Sequence, residues 1–297
     1  MDQIVECVPN FSEGRRKPVV DEIVAAMSIQ GVKVLDREMD ADHNRSVITL
    51  AGEPRAVEQA AFQGIAAAAR LIDMDAHHGE HPRVGATDVV PFVPVRGVSM
   101  EECVAMARRL GERVGRELDL PVYLYERAAT RPERRDLAYI RRGEYESLKR
   151  EIATDPDRAP DFGPSRIGRA GATVIGARTY LIAYNVNLAT SDLKIAKEIA
   201  AAIREKNGGL PAVKAKGFLL REKNIAQVSM NLTDYARTGI LAAFNAVQAE
   251  AAKRGVQVLE SELIGLAPLE ALVQVAAESL KLPGLSANQL IELKLLE

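Results

Sequence analysis

Three of the chain's four histidines stand together in Asp75-Ala76-His77-His78-Gly79-Glu80-His81-Pro82-Arg83-Val84-Gly85. An imidazole is the side chain that both takes and gives a proton near neutrality. His81 is the strongest candidate, because Glu80, Arg83 and, after Gly85, Asp88 lie in the same loop, bringing carboxylates and a guanidinium to one small polar ligand. His77 and His81 have the i,i+4 spacing of zinc ligands on a helix. Gly79 weakens a helix there, Pro82 biases His81 toward extended backbone, and no Glu follows the first His, so no metal is expected. His77 and His78 are expected as solvated loop residues.

Three further segments have the composition of ligand-holding loops. Pro9-Asn10-Phe11-Ser12-Glu13-Gly14-Arg15 leaves the end of a first strand, with Asn10 the candidate contact, although ordinary turn and cap bonding accounts for it equally. Glu38, Asp40, Asp42, His43, Asn44 and Arg45 crowd one turn, either as a solvated loop or as the acidic wall of a pocket for a cationic substrate. Pro160-Asp161-Phe162-Gly163-Pro164-Ser165-Arg166-Ile167-Gly168-Arg169-Ala170-Gly171 is shaped by Gly and Pro at the expected domain junction. It reads as a linker, or as a cradle whose arginines fork onto a carboxylate-bearing cofactor.

The elements that must position these loops follow from periodicity. Strand 3–8, helix 17–29, strands 31–35 and 46–50, helix 54–72 and strand 89–95 read β-α-β-β-α-β. Pro91 and Pro94 place the last of these at a sheet edge or on a bulged path. Ser99 and Glu102 have capping-box spacing at the head of a helix to about 118, followed by strand 122–125. After the charged, irregular stretch 127–160, the run 172–188 is strongly β-forming. Helix 191–206, strands 213–220 and 225–232, helix 238–254 and strand 256–266 then repeat the order. The expected architecture is α+β, two ferredoxin-like βαββαβ subdomains, 1–180 and 181–297, with the ligand cleft between them.

Composition fits that picture. The 297 residues are 47% hydrophobic and 27% charged, without tryptophan, so aliphatic side chains must build the cores. A formal charge of −2 gives no basic excess for nucleic acid. The cluster Arg127, Arg131, Arg134, Arg135, Arg141 and Arg142 is diluted by Glu126, Glu133, Asp136 and Glu144 and reads as solvated helix surface. Cys7 and Cys103 form no CxxC pair, and Cys7 reads as a buried, inert strand residue. The N-terminal residues lack a secretory signal and no stretch is long and apolar enough to span a bilayer, so a cytoplasmic protein is expected.

The segments Glu6-Cys7-Val8-Pro9-Asn10-Phe11-Ser12-Glu13-Gly14 and Gly79-Glu80-His81-Pro82-Arg83 resemble the glutamate formiminotransferase family. The likeness extends over Asp73-Met74, Pro91–Met100, Pro121–Tyr125, Gly143–Glu146, Ala159–Ser165, Ala172–Arg178 and Glu222–Asn231, nearly the whole chain. In Ser165–Gly171 it holds at the ends of the loop. The resemblance implies the stand-alone form, without a cyclodeaminase domain. It implies transfer of a formimino group between N-formimino-L-glutamate and tetrahydrofolate as co-substrate, a folate bound between two subdomains, and a homodimer. By position His81 matches the family's catalytic histidine, and Gly163, Pro164, Ser165, Arg166, Ile167, Gly168, Arg169, Ala170 and Gly171 match its folate-binding segment. Asn10, Glu38, Arg45, Glu80 and Arg83 are the candidates for holding the amino-acid substrate, the acids at its amidinium and the arginines at its carboxylates. The rival expectations are 5-formyltetrahydrofolate in place of the formimino compound, or a non-catalytic folate binder.

Overall fold

The alternation Ile4-Val5-Glu6-Cys7 buries Val5 and Cys7 beneath helices and turns Ile4 and Glu6 to the other face, which is the period-2 pattern of a half-covered strand. The computed structural model describes residues 3–296 and divides into two units between Arg178 and Thr179. The first contains β1 (Ile4–Cys7), β2 (Asn10–Phe11), α1 (Lys17–Met27), β3 (Val32–Asp40), β4 (Arg45–Gly52), α2 (Pro54–Leu71), β5 (Thr87–Arg96), α3 (Met100–Glu117), β6 (Val122–Glu126), α4 (Leu137–Ile140), α5 (Glu144–Glu151) and β7 (Thr173–Ala177). Its seven strands form one sheet in which β3 borders β4, β4 borders β1 and β2, both of these border β5, and β7 and β6 follow. The last three strands are parallel to one another, and the other pairings are antiparallel.

Helices α1, α2 and α3 cover one face over a core that includes Phe11, Ile23, Met27, Ile48, Leu50, Ile65, Phe92 and Leu110. Ser99 and Glu102 form the capping box expected of α3, with Ser99 Oγ accepting from Glu102 N at 3.1 Å. On the other face, α4 and α5 bring Ile140 and Leu148 onto Val89, Tyr123, Tyr125 and Val174. The β5–β7–β6 end of the sheet is therefore apolar on both sides, which is why Val89–Val93 reads as an unbroken apolar run.

That arrangement corrects the expectation of an edge position for the proline-bearing strand, because β5 has partners on both flanks. The register against β1 and β2 leaves Val95 and Asp88 of β5 as extra residues, so the strand itself is bulged. Pro91 faces the break between β1 and β2 and accepts from Val8 N at 3.3 Å, while Pro94 adjoins the register shift at Ile4 and Val5. The bulged path is present; the edge is not. The run 172–188 also divides, since β7 ends in the first sheet and β8 begins a second one.

The second unit contains β8 (Ile182–Leu188), α6 (Leu193–Ile203), β9 (Val213–Leu220), β10 (Ile225–Leu232), α7 (Ile240–Lys253), β11 (Val258–Ile264), α8 (Leu269–Leu280) and α9 (Ile291–Leu296). Its strands run β11-β8-β10-β9, every neighbour antiparallel. Ile199 and Ala200 of α6 and Ala243 and Val247 of α7 pack on Val186, Val228 and Met230. The helices α8 and α9 lie beyond the repeated order that periodicity gave. Of α8, only Ala271 and Val273 are buried, so its apolar residues trace no clear face. No helix among the described residues is long and apolar enough to cross a membrane. The whole is an α+β protein with two sheets.

Candidate functional site

Three of the segments with ligand-loop composition meet the histidine loop inside the first unit. Ser12 joins the loop before β5 through N–H to the Ala86 carbonyl (2.9 Å) and Oγ–H to the Gly85 carbonyl (2.8 Å). Asn44, at the β3–β4 turn, accepts from Gly14 N (3.0 Å) and donates to the His78 carbonyl (3.0 Å). The chain 170–172 is stitched to 84–86 by Ala86 N to the Ala170 carbonyl (2.8 Å) and Ala172 N to the Val84 carbonyl (3.0 Å). Gly79 and Gly85 are glycines because the backbones touch: a Cβ at Gly79 would strike the His43 carbonyl, and one at Gly85 the Ala172 carbonyl. The β3–β4 hairpin is longer than its sequence suggested, with β3 running to Asp40, so its tip reaches this loop.

His81 lies half-buried in the middle. Its Nδ1 is 2.7 Å from the Pro82 carbonyl, which can only accept, so Nδ1 carries the proton and Nε2 the lone pair. Burial, with the charges of Arg45 and Arg141, depresses its pKa to about 3, against the opposing pull of Asp88. The imidazole is thus neutral at pH 7. The His43 ring stands edge-on to it, 6.1 Å between centroids, and is itself bonded to Asp40 at 2.8 Å.

Behind His81 is a buried ionic cluster. Asp88, fully buried at the head of β5, accepts from Arg45 Nη1 (2.7 Å), from Arg141 Nη2 and Nε, and from Val84 N (3.0 Å). Burial alone would raise the Asp88 pKa, but Arg141 and Arg45 overcome it and hold it near about 2. Arg45 is depressed to about 10 by burial, partly offset by Asp88. Asn10 Oδ1 accepts from Arg45 Nε (3.2 Å) and Nη2 (2.8 Å), which fixes that guanidinium from its other side.

The other expected site residues are placed as follows. Glu38 is half-buried on β3 opposite Val47. Glu80 is exposed, its N–H donating to the Asp42 carbonyl at 3.3 Å. Arg83, expected to grip a substrate carboxylate, is instead buried with its fork taken by Glu144 (2.8 Å) and Glu146 (2.6 Å). Its position is structural because α5 supplies two carboxylates for one guanidinium. His77 also departs from the expectation of solvation. It is buried, its Nε2–H donating to the Asn44 carbonyl (3.0 Å) and its Nδ1 accepting from Arg83 Nε (3.3 Å). Both ring nitrogens are committed, and burial, chiefly, lowers its pKa.

In the loop 163–171, Gly163, Ser165, Arg166, Gly168 and Arg169 are exposed, Pro164 and Ile167 half-buried, and Ala170 and Gly171 buried. Arg166 pairs with Asp119, and Arg169 with Asp73 at 3.0 Å. The loop is not at the boundary between units, since β7 follows it within the first sheet.

Two arginines of the cluster read as solvated helix surface are not solvated. Arg134 is 2% exposed and paired with Asp161 at 2.8 Å, and Arg141 turns inward to Asp88. Arg141 is the functional candidate that reading the sequence passed over. The available signal was Asp88 itself, a carboxylate heading an otherwise apolar strand, which needs a buried cation.

The fold and this site define an α+β protein whose first unit carries a neutral histidine beside a buried arginine–aspartate cluster. The family model for the formiminotransferase domain, N-terminal subdomain, matches residues 4–178, and that for the formiminotransferase domain matches 183–293. The chain belongs to the formiminotransferase family. It is 55% identical over 295 residues to a glutamate formimidoyltransferase of Thermoplasma acidophilum, covering 98% of this chain and 97% of that protein. A glutamate formimidoyltransferase of Streptococcus pyogenes is 48% identical over 278 residues, 93% of each chain. The mouse formimidoyltransferase-cyclodeaminase is 47% identical over 285 residues, which cover 93% of this chain and 52% of that protein.

Proposed function

We propose that this protein is a glutamate formimidoyltransferase that moves the formimino group between N-formimino-L-glutamate and tetrahydrofolate, giving 5-formiminotetrahydrofolate and L-glutamate, with His81 as general acid and base. The observation that carries the chemistry is the orientation of His81, with Nδ1–H on the Pro82 carbonyl and a neutral Nε2 lone pair. In the reaction the folate N5 attacks the amidine carbon and a C–N bond forms. Nε2 takes the N5 proton, and the resulting imidazolium returns it to the glutamate nitrogen as the old C–N bond breaks. General acid–base help of this kind contributes roughly 10²–10⁴-fold, and holding two substrates together contributes further.

The reading assigns Gly163–Gly171 to folate, Glu38 and Glu80 to the amidinium, and Asn10 and Arg45 to the substrate's anionic end. Each unit contains a βαββαβ order, with β1 and β2 as one interrupted strand in the first, and we take both as ferredoxin-like subdomains, 1–180 and 181–297. A cytoplasmic homodimer acting in histidine breakdown completes it. The test is an assay of the purified protein with tetrahydrofolate and N-formimino-L-glutamate, and separately with 5-formyltetrahydrofolate and glutamate. Formimino transfer supports the reading. Turnover with the formyl compound alone moves the protein to another one-carbon reaction, and tight folate binding without product under either donor makes it a binding protein.

A further inference from the structure

The buried arginines of the first unit are not balanced alike. Arg134 meets one carboxylate, Asp161, and Arg158 meets one, Glu151. Arg83 meets two, Glu144 and Glu146. In the group behind His81 the ratio is reversed: Arg45 and Arg141, with side chains 10% and 14% exposed, share the single carboxylate of Asp88. Within this ion-paired group two guanidinia stand on one carboxylate, an arrangement that a further anion can complete.

The bonds within the group show where that anion fits. Arg141 places Nε and Nη2 on Asp88 and leaves Nη1 without a hydrogen-bond partner among the described residues. Arg45 is held by Asp88 on one side and Asn10 on the other. Asp88 is tied in turn to the histidine loop through Val84 N at 3.0 Å. A guanidinium aligned along one edge by a buried carboxylate and open at its remaining nitrogen is prepared for a second carboxylate.

We propose that Arg141, aligned by Asp88 and seconded by Arg45, holds a carboxylate of the amino-acid substrate beside His81. This rests on the formimidoyltransferase reading and replaces Arg83 in the role expected of it. Asp88 is a positioning residue, and Arg141 is a binding residue and a determinant of donor specificity.

A carboxylate could also come from the glutamate tail of the folate, so the two substrates must be varied separately. The experiment compares the wild-type protein with Arg141→Gln and Arg141→Lys, each checked for folding by circular dichroism. KM is measured for N-formimino-L-glutamate, for its two monoamides N-formimino-L-glutamine and N-formimino-L-isoglutamine, and for tetrahydrofolate. Loss of a charged hydrogen bond predicts a rise of roughly 10- to 100-fold in donor KM for Arg141→Gln. KM for tetrahydrofolate should stay unchanged, and the variant should lose the wild-type preference for the diacid over one of the monoamides. Arg141→Lys should recover part of the donor affinity. An unchanged donor KM, a rise confined to tetrahydrofolate, or an unaltered preference over both monoamides would overturn the proposal. A wild-type protein that transfers no formimino group would instead remove the underlying reading.

Discussion

The two units bury different kinds of polar side chain. The charged residues buried as a whole among the described residues, Glu13, Arg45, Arg83, Asp88, Arg134 and Arg158, all belong to the first unit, although Arg204 of the second buries its Nε without a hydrogen-bond partner. Among the described residues, the polar residues buried as a whole in the second unit are the neutral Asn187, Gln227 and Thr238, and most of the exposed large apolar side chains, from Phe218 to Leu295, lie there. Burying a charge costs several kcal/mol unless it is paired and hydrogen-bonded, so a fold keeps such groups where something uses them. All four histidines lie in the first unit as well. The contrast supports placing the proposed proton chemistry in the first unit.

The severest test of that contrast is Asp88→Asn. It leaves Arg45 and Arg141 facing each other in a buried site, and breaking such a pair typically costs about 3–5 kcal/mol. Urea unfolding should register the loss, and a variant as stable as the parent would show that the cluster is not held by charge. In the second unit, Asn187 donates to Glu260 and Glu262, both at 3.0 Å, and accepts from Gln227 at 2.9 Å. Asn187→Ala removes these bonds and should cost about 1–3 kcal/mol while kcat stays near the parent value. A fall in kcat with no loss of stability would place chemistry in the second unit too.

The smallest expected effect is an absence. Because the free protein holds His81 near about 3, kcat/KM should pass through pH 6.5 without an inflection from this group. A His81-dependent acid limb at 6.5 would contradict the burial described. Stability, by contrast, should decline as pH falls from about 6.5 toward 3, because the unfolded chain takes up the His81 proton first. Asp88 acts in the same direction at lower pH: its contribution is present above its ordinary value of 3.8 and disappears as pH falls through about 2.

How legible each feature was depended on how local its cause is. The α3 capping box is written in Ser99 and Glu102, three residues apart, and β9 and β10 flank a charged turn that marks their ends. Pro91 and Pro94 left an edge and a bulged path open, and only the pairing of β5 with strands on both flanks decides for the bulged path. His77 looked solvated because its partners, Asn44 and Arg83, are supplied by tertiary contact. Arg141 looked like one of a surface cluster because Asp88 is 53 residues away. The four polar segments stood out in the sequence, but the hydrogen bonds that bring the first, the β3–β4 turn and the loop before β7 to the histidine loop are long-range and could not be read from it.

The central claim concerns one imidazole, and His81→Ala measures it most directly. Turnover of N-formimino-L-glutamate with tetrahydrofolate should fall by roughly 10²–10⁴-fold while tetrahydrofolate binding, followed by calorimetry, stays within a few-fold of the parent. Near-normal turnover in a folded His81→Ala protein would contradict the account.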